Sequence, residues 1–184
     1  MRKTRDLMMI SLERGIELYL ATLATEGKSP RYVDWLKTRL RFFSEFMLKC
    51  NGEGYKLQNL TIEEGREYIS HLMAREVRYQ NHPMHKQKDG KLKIQYIHGC
   101  GRAIRSFSTW AYEEGYLDEN VMRRLKLPRL PKTFPEPLNE EEIQRVLTAS
   151  LESTQERMRN FSIMMLFLDT GIRLDELVTL KLSR

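Results

Sequence analysis

Four stretches free of proline carry apolar residues at helical spacing. The first runs roughly over residues 7–25 and places Leu12, Ile16, Tyr19, Leu20 and Leu23 along one face, with Gly27 after it. In the second, "SPRYVDWLKTRLRFFSEFMLK", Ser29 is placed to cap. Pro30 takes the first helical position, where its missing N–H costs nothing. Its apolar stripe is Val33, Leu36, Leu40, Phe43 and Met47. The third opens at "TIEEG", where Thr61 and Glu64 have capping-box spacing; Ile62, Tyr68, Ile69, Leu72 and Met73 form its apolar set. The fourth covers roughly 92–114, with Ile97, Ile104, Phe107 and Trp110 inward and Gly115 at its end. No period-two alternation competes, so this front unit is expected to be all-α, four helices around one shared core.

Pro128, Pro131, Pro135 and Pro137 then forbid helix and favour extended chain. Beyond them a new helix starts at "LNEEEIQRVL", with Asn139 as cap, Glu142 at capping-box spacing and acids at the positive end of its dipole. A last apolar run, "MRNFSIMMLFLDT", stops at Gly171. The organisation read from this is a helical domain over 1–125, a proline-rich linker over 126–138 and a further segment over 139–184.

Charge sharpens that division. Residues 1–132 hold 25 Lys and Arg against 16 Asp and Glu, whereas residues 133–184 hold 6 against 9. A basic front and an acidic rear point to different partners, the front being a candidate for a polyanion. The most basic long window, from Arg78 to Arg105, includes "RYQNHPMHKQKDGKLK". It reads either as a solvated loop or as a lysine-rich approach to phosphates. No run of about 18 apolar residues provides a membrane span. Ser11, Glu13 and Arg14 interrupt any signal-peptide core. Two cysteines make no disulfide framework, and a reduced cytoplasmic setting is the expectation.

Several chemistries drop out on spacing. His82 and His85 are three apart in a loop, Cys50 and Cys100 are far from both, and no metal site is expected. Cys100 lies between Gly99 and Gly101, where a small residue suits close helix approach better than nucleophilic catalysis. No phosphate-cradling or dinucleotide fingerprint occurs, and no cofactor is expected. What remains is the ending, "FLDTGIRLDELVTLKLSR". One reading is the turn and second helix of a helix-turn-helix regulator, with Arg173 paired to Asp175 or Glu176. The other is a guanidinium held where two helices meet, its planar fork aimed at a phosphate.

The stretch "TGIRLDEL" resembles the first catalytic motif of the tyrosine recombinases, or phage-type integrases. "YIHGCGRAIRSFSTWAYEEGYLDENVMRRLKLPRLPK" is similar to the last core-binding helix and interdomain linker of that family, and "FPEPLNEEEIQRVL" to the opening of its catalytic domain. The resemblance covers most of the chain, in the family's order. It implies a SAM-like four-helix core-binding bundle, a linker, and the first helices of a truncated mixed α+β catalytic domain. It also implies site-specific cutting and rejoining of double-stranded DNA through a 3′-phosphotyrosyl bond, with self-association on DNA in the full-length enzyme. Arginines, and no metal, neutralise the phosphate there.

Carried over by position, Arg173 matches the first catalytic arginine, and Glu176 the motif's acid, a support for the loop or the arginine. The family's DNA face is its second and fourth helices. That points to Arg31, Lys37 and Arg41 on the second, and to Lys91, Lys93, Gln95, Tyr96, His98 and Arg102 at the fourth. Lys126, Arg129 and Lys132 would meet phosphates along the linker. Gln95, His98 and Arg102 are the ones placed to read bases. The chain departs from the pattern in one respect. All eight tyrosines precede Arg173 and no His-x-x-Arg occurs, so a truncated product able to bind DNA but inactive alone is expected.

Overall fold

The computed structural model describes residues 9–78, 86–132, 134–152 and 156–181. It is mostly helical: α1 (Leu12–Thr25), α2 (Pro30–Asn51), α3 (Ile62–Ala74), α4 (Ile94–Glu113), α5 (Glu140–Glu152), α6 (Arg157–Thr170) and α7 (Leu174–Thr179). Local chemistry sets the helix starts. The backbone N–H of Arg14 donates to Ser11 Oγ at 3.2 Å, and Pro30 opens α2 behind Ser29. Ahead of α3, the Thr61 N–H donates to Glu64 Oε2 at 2.8 Å. At α5 the box is reciprocal: the Asn139 N–H donates to Glu142 and the Glu142 N–H to Asn139 Oδ1, each at 2.9 Å. Such a cap is worth about 1 kcal/mol.

The chain forms two compact units, 1–131 and 132–184. In the first, α1–α4 enclose a core. Leu36, Leu40, Phe43 and Met47 of α2 meet Ile97, Cys100, Ile104 and Phe107 of α4, with Leu12, Tyr19, Tyr68 and Leu72 closing it. Two 3₁₀ turns, Leu57–Asn59 and Val121–Arg124, add Leu57 and Met122 to the same core. The expected faces hold with four departures. Leu20, Val33 and Ile62 are half-buried, and Met73 is 49% exposed because Leu72 takes the inward position.

The all-α expectation needs one correction. Val77–Arg78 (β1) pairs antiparallel with Lys88–Asp89 (β2), in register Val77↔Asp89 and Arg78↔Lys88. Two residues per strand are too few to show alternation in sequence. Residues 79–85, with His82 and His85, lie outside the described residues.

Leu127, at the start of the proline segment, packs over Gly101 of α4. A Cβ there would run into Leu127 and lie 3.3 Å from Ile69 Cδ1. The opening of the proline segment therefore lies against α4. In the second unit α5 packs on α6, Gly171 ends α6 in left-handed conformation (φ 63°), and no described residue is fully buried. Among the described residues no helix is long and apolar enough to cross a membrane.

Candidate nucleic-acid interface

Three aromatic rings and one arginine line the seam where α2 meets α4. The Tyr32 ring stacks on Trp35, 6.0 Å between centroids and 13° between planes. The guanidinium carbon of Arg39 sits 4.0 Å from the Trp35 ring centroid and 5.5 Å from that of Tyr96. Its Nη1 donates to the Trp35 carbonyl at 3.0 Å. A Cβ on Gly99 would fall 3.2 Å from Arg39 Nε and 3.4 Å from Trp35, so the glycine leaves the room that this side chain occupies.

At about 100° per residue, helical spacing assigns the candidate residues to sides of this seam. Gln95 and Arg102 flank Gly99 at one helical turn each way, on its own stripe of α4. Arg31 lies one turn ahead of Trp35 on α2. Lys37 and Arg41, each two residues from Arg39, project to the other side of α2. Arg41 is engaged there with Glu45 at 3.4 Å. Lys91 and Lys93 lead into α4, both exposed, and His98 is half-buried. Lys126, Arg129 and Lys132 are exposed along the proline segment.

Tyr96 and Cys100 extend the seam inward. Burial, then the neighbouring Cys100 thiol, pushes the Tyr96 hydroxyl up to about 12, with Arg39 and Arg75 pulling the other way. Burial also raises Cys100, opposed by Arg39 and by the neighbouring Tyr96 and Tyr68 hydroxyls. Both groups are kept protonated by the fold. Their stabilisation is whole below the unfolded values of 9.0 and 10.0 and is lost as pH rises through the raised ones. Thermal melts should therefore show stability falling from about pH 9 towards pH 12. Tyr96→Phe should flatten that fall, and an unchanged profile would contradict the assignment.

At the α6–α7 junction, Gly171 turns the chain and Arg173 occupies the position before α7 in extended conformation (φ −77°, ψ 152°). Glu176 holds it twice. Its Oε2 accepts the Arg173 backbone N–H at 2.9 Å, and its Oε1 the guanidinium Nη1 at 3.3 Å. The Arg173 side chain is 85% exposed. An ion pair this open is worth about 1 kcal/mol at most, so a phosphate can replace the carboxylate on the guanidinium while the backbone contact stays.

Compared with known proteins, the chain is 26% identical over 176 residues to the tyrosine recombinase XerC of Oceanobacillus iheyensis, spanning 95% of this chain and 52% of that one. It is also 26% identical over 168 residues to the tyrosine recombinase XerA of Pyrococcus furiosus, 91% and 47% of the two chains. Over nearly its whole length the chain is similar to these tyrosine recombinases. It spans about half the length of the curated relatives it matches. The XerC of Bacillus pumilus is 38% identical over 81 residues, 44% of this chain and 27% of that one. An integrase from mycobacterium phage Brujita aligns in structure with a TM-score of 0.47 at 16% identity, covering 88% and 46% of the two chains. No protein-family model matches.

Sequence alone does not single out Arg39 or the seat that Gly99 leaves for it. Two signals were there. Glycine inside a helix costs about 1 kcal/mol against alanine, so "GCG" in α4 marks close approach on two sides. Tyr32, Trp35 and Arg39 also follow one another at helical spacing along α2.

Proposed function

We propose that this chain is the DNA-binding portion of a site-specific tyrosine recombinase that cuts and rejoins duplex DNA through a 3′-phosphotyrosyl intermediate. The observation that carries this reading is the match to XerC over nearly the whole chain. The helical unit acts as the core-binding domain, about 1–125, followed by a linker over 126–138 and the opening of the catalytic domain over 139–184. The cations around the α2–α4 seam position the duplex through its phosphates, and Gln95, His98 and Arg102 reach base edges. Arg173 neutralises the scissile phosphate, with Glu176 fixing the turn that carries it. A full-length enzyme would self-associate on its DNA.

The regulator alternative finds less support, since α7 has six residues, under two turns, for a recognition helix. Binding to a DNA duplex across a salt series tests the proposal. About five phosphate contacts should cost roughly 10²–10³-fold in affinity between about 50 and 200 mM salt. Affinity indifferent to salt would reject it.

A further inference from the structure

The candidate cations on the DNA face are exposed side chains that must be ordered when DNA arrives. Arg39 differs from them. Its guanidinium lies over Trp35, with Tyr96 5.5 Å away, its Nη1 is tied to a backbone carbonyl, and its Nε packs against Gly99 of α4, where a Cβ would come within 3.2 Å. A guanidinium has five N–H donors, and the Trp35 carbonyl takes one of them. Gln95 and Arg102 bracket the Gly99 seat along α4. A second guanidinium, that of Arg75, acts on the same Tyr96 hydroxyl as Arg39 does. A groove of about 400 Å³ borders this corner, lined by Lys49, His71, Arg75 and Tyr96 among others.

We infer that Arg39 is the fixed phosphate anchor of the α2–α4 face, a DNA-contacting residue seated by Trp35, Tyr96 and Gly99 before the duplex binds. This rests on the DNA-binding reading above and names the residue that reading lacked. The ligand is the backbone phosphodiester rather than a base edge, because a half-buried guanidinium tied into the seam cannot extend into a groove. Its contact is stronger than that of a free lysine for an entropic reason. Lys91 or Lys93 loses side-chain freedom on touching DNA, whereas Arg39 has already lost it on folding. Lysine cannot substitute, since it offers a point charge without the planar fork that stacks and binds two oxygens.

The test is fluorescence anisotropy of a random-sequence duplex against the whole chain, over a salt series, with circular-dichroism melts of every variant. Arg39→Met should weaken binding about tenfold and reduce the log–log salt slope by about 0.9. Lys91→Met should reduce the slope equally but weaken binding only about two- to threefold. Arg39→Lys, which keeps the charge and is expected to stay folded, should keep the slope and still lose several-fold in affinity. Arg14→Met, which removes a cation paired with Glu17 on α1, controls for net charge and should stay close to the unsubstituted chain. Arg39→Met or Arg39→Lys binding as tightly as the unsubstituted chain overturns the anchor. So does a loss on Arg39→Met no greater than that of Lys91→Met. Failure of the unsubstituted chain to bind any duplex overturns the DNA-binding reading itself, and the anchor falls with it. The unsubstituted arm keeps the two failures apart.

Discussion

Arg173→Ala, in a full-length recombinase that contains this chain, is expected to slow strand cleavage by about 10²–10³-fold. Duplex affinity should stay within about twofold of the unsubstituted enzyme. The split follows from the geometry. An 85% exposed guanidinium at a helix junction makes no packing contribution that its loss could disturb, and its partner Glu176 keeps the backbone bond to residue 173. On the proposed reading, what disappears is a planar cation at the phosphate, needed most when charge builds up on the non-bridging oxygens. Arg173→Lys should recover only part of the rate, since an ammonium offers no fork. Cleavage of a labelled duplex and anisotropy on the same DNA give both numbers. An equal fall in binding and cleavage would move Arg173 out of the chemistry and favour the regulator reading.

The largest effect on stability is expected at Phe107. It is fully buried, with the rings of Tyr19 and Trp110 at 5.8 and 6.1 Å, and it reaches towards Gly15 of α1. Phe107→Ala should cost about 3–5 kcal/mol through lost transfer energy and the cavity left behind. Against a total of about 5–15 kcal/mol, that is a large share, and the melting temperature should fall by on the order of 10 °C. Leu168→Ala in α6, where the leucine is 49% exposed, should cost less than about 1 kcal/mol. Melts of both variants by circular dichroism check the contrast. A Phe107→Ala protein that melts like the parent would show that the α1–α4 contact is not where the core's stability lies.

Much of the fold could be read from single segments, because the physics involved is local. Ser29 with Pro30, Thr61 with Glu64, Asn139 with Glu142, and Gly171 each set a helix boundary through partners within four residues. The buried stripes of α1, α2 and α4 follow from 3.6-residue spacing alone. Met73 went the other way, since spacing admits two adjacent apolar residues at the edge of a face and packing accepts only Leu72. The β1–β2 pair was not legible at all, because two-residue strands gain their register from each other across the intervening loop.

The site divides along the same line. Sequence by itself determined the motif around Arg173, since Arg173 and Glu176 are three residues apart and meet within one turn. It also determined the basic character of the front unit and its resemblance to the recombinases. Only the tertiary structure decided which cations share a surface. It located the seam, from which spacing turns Lys37 and Arg41 away, and it brought Arg39 of α2 against Tyr96 of α4, from helices far apart in the chain. The reason is that a side chain's direction follows from its own helix, whereas its neighbours follow from how two helices approach. Here a missing Cβ at Gly99 makes room for that approach.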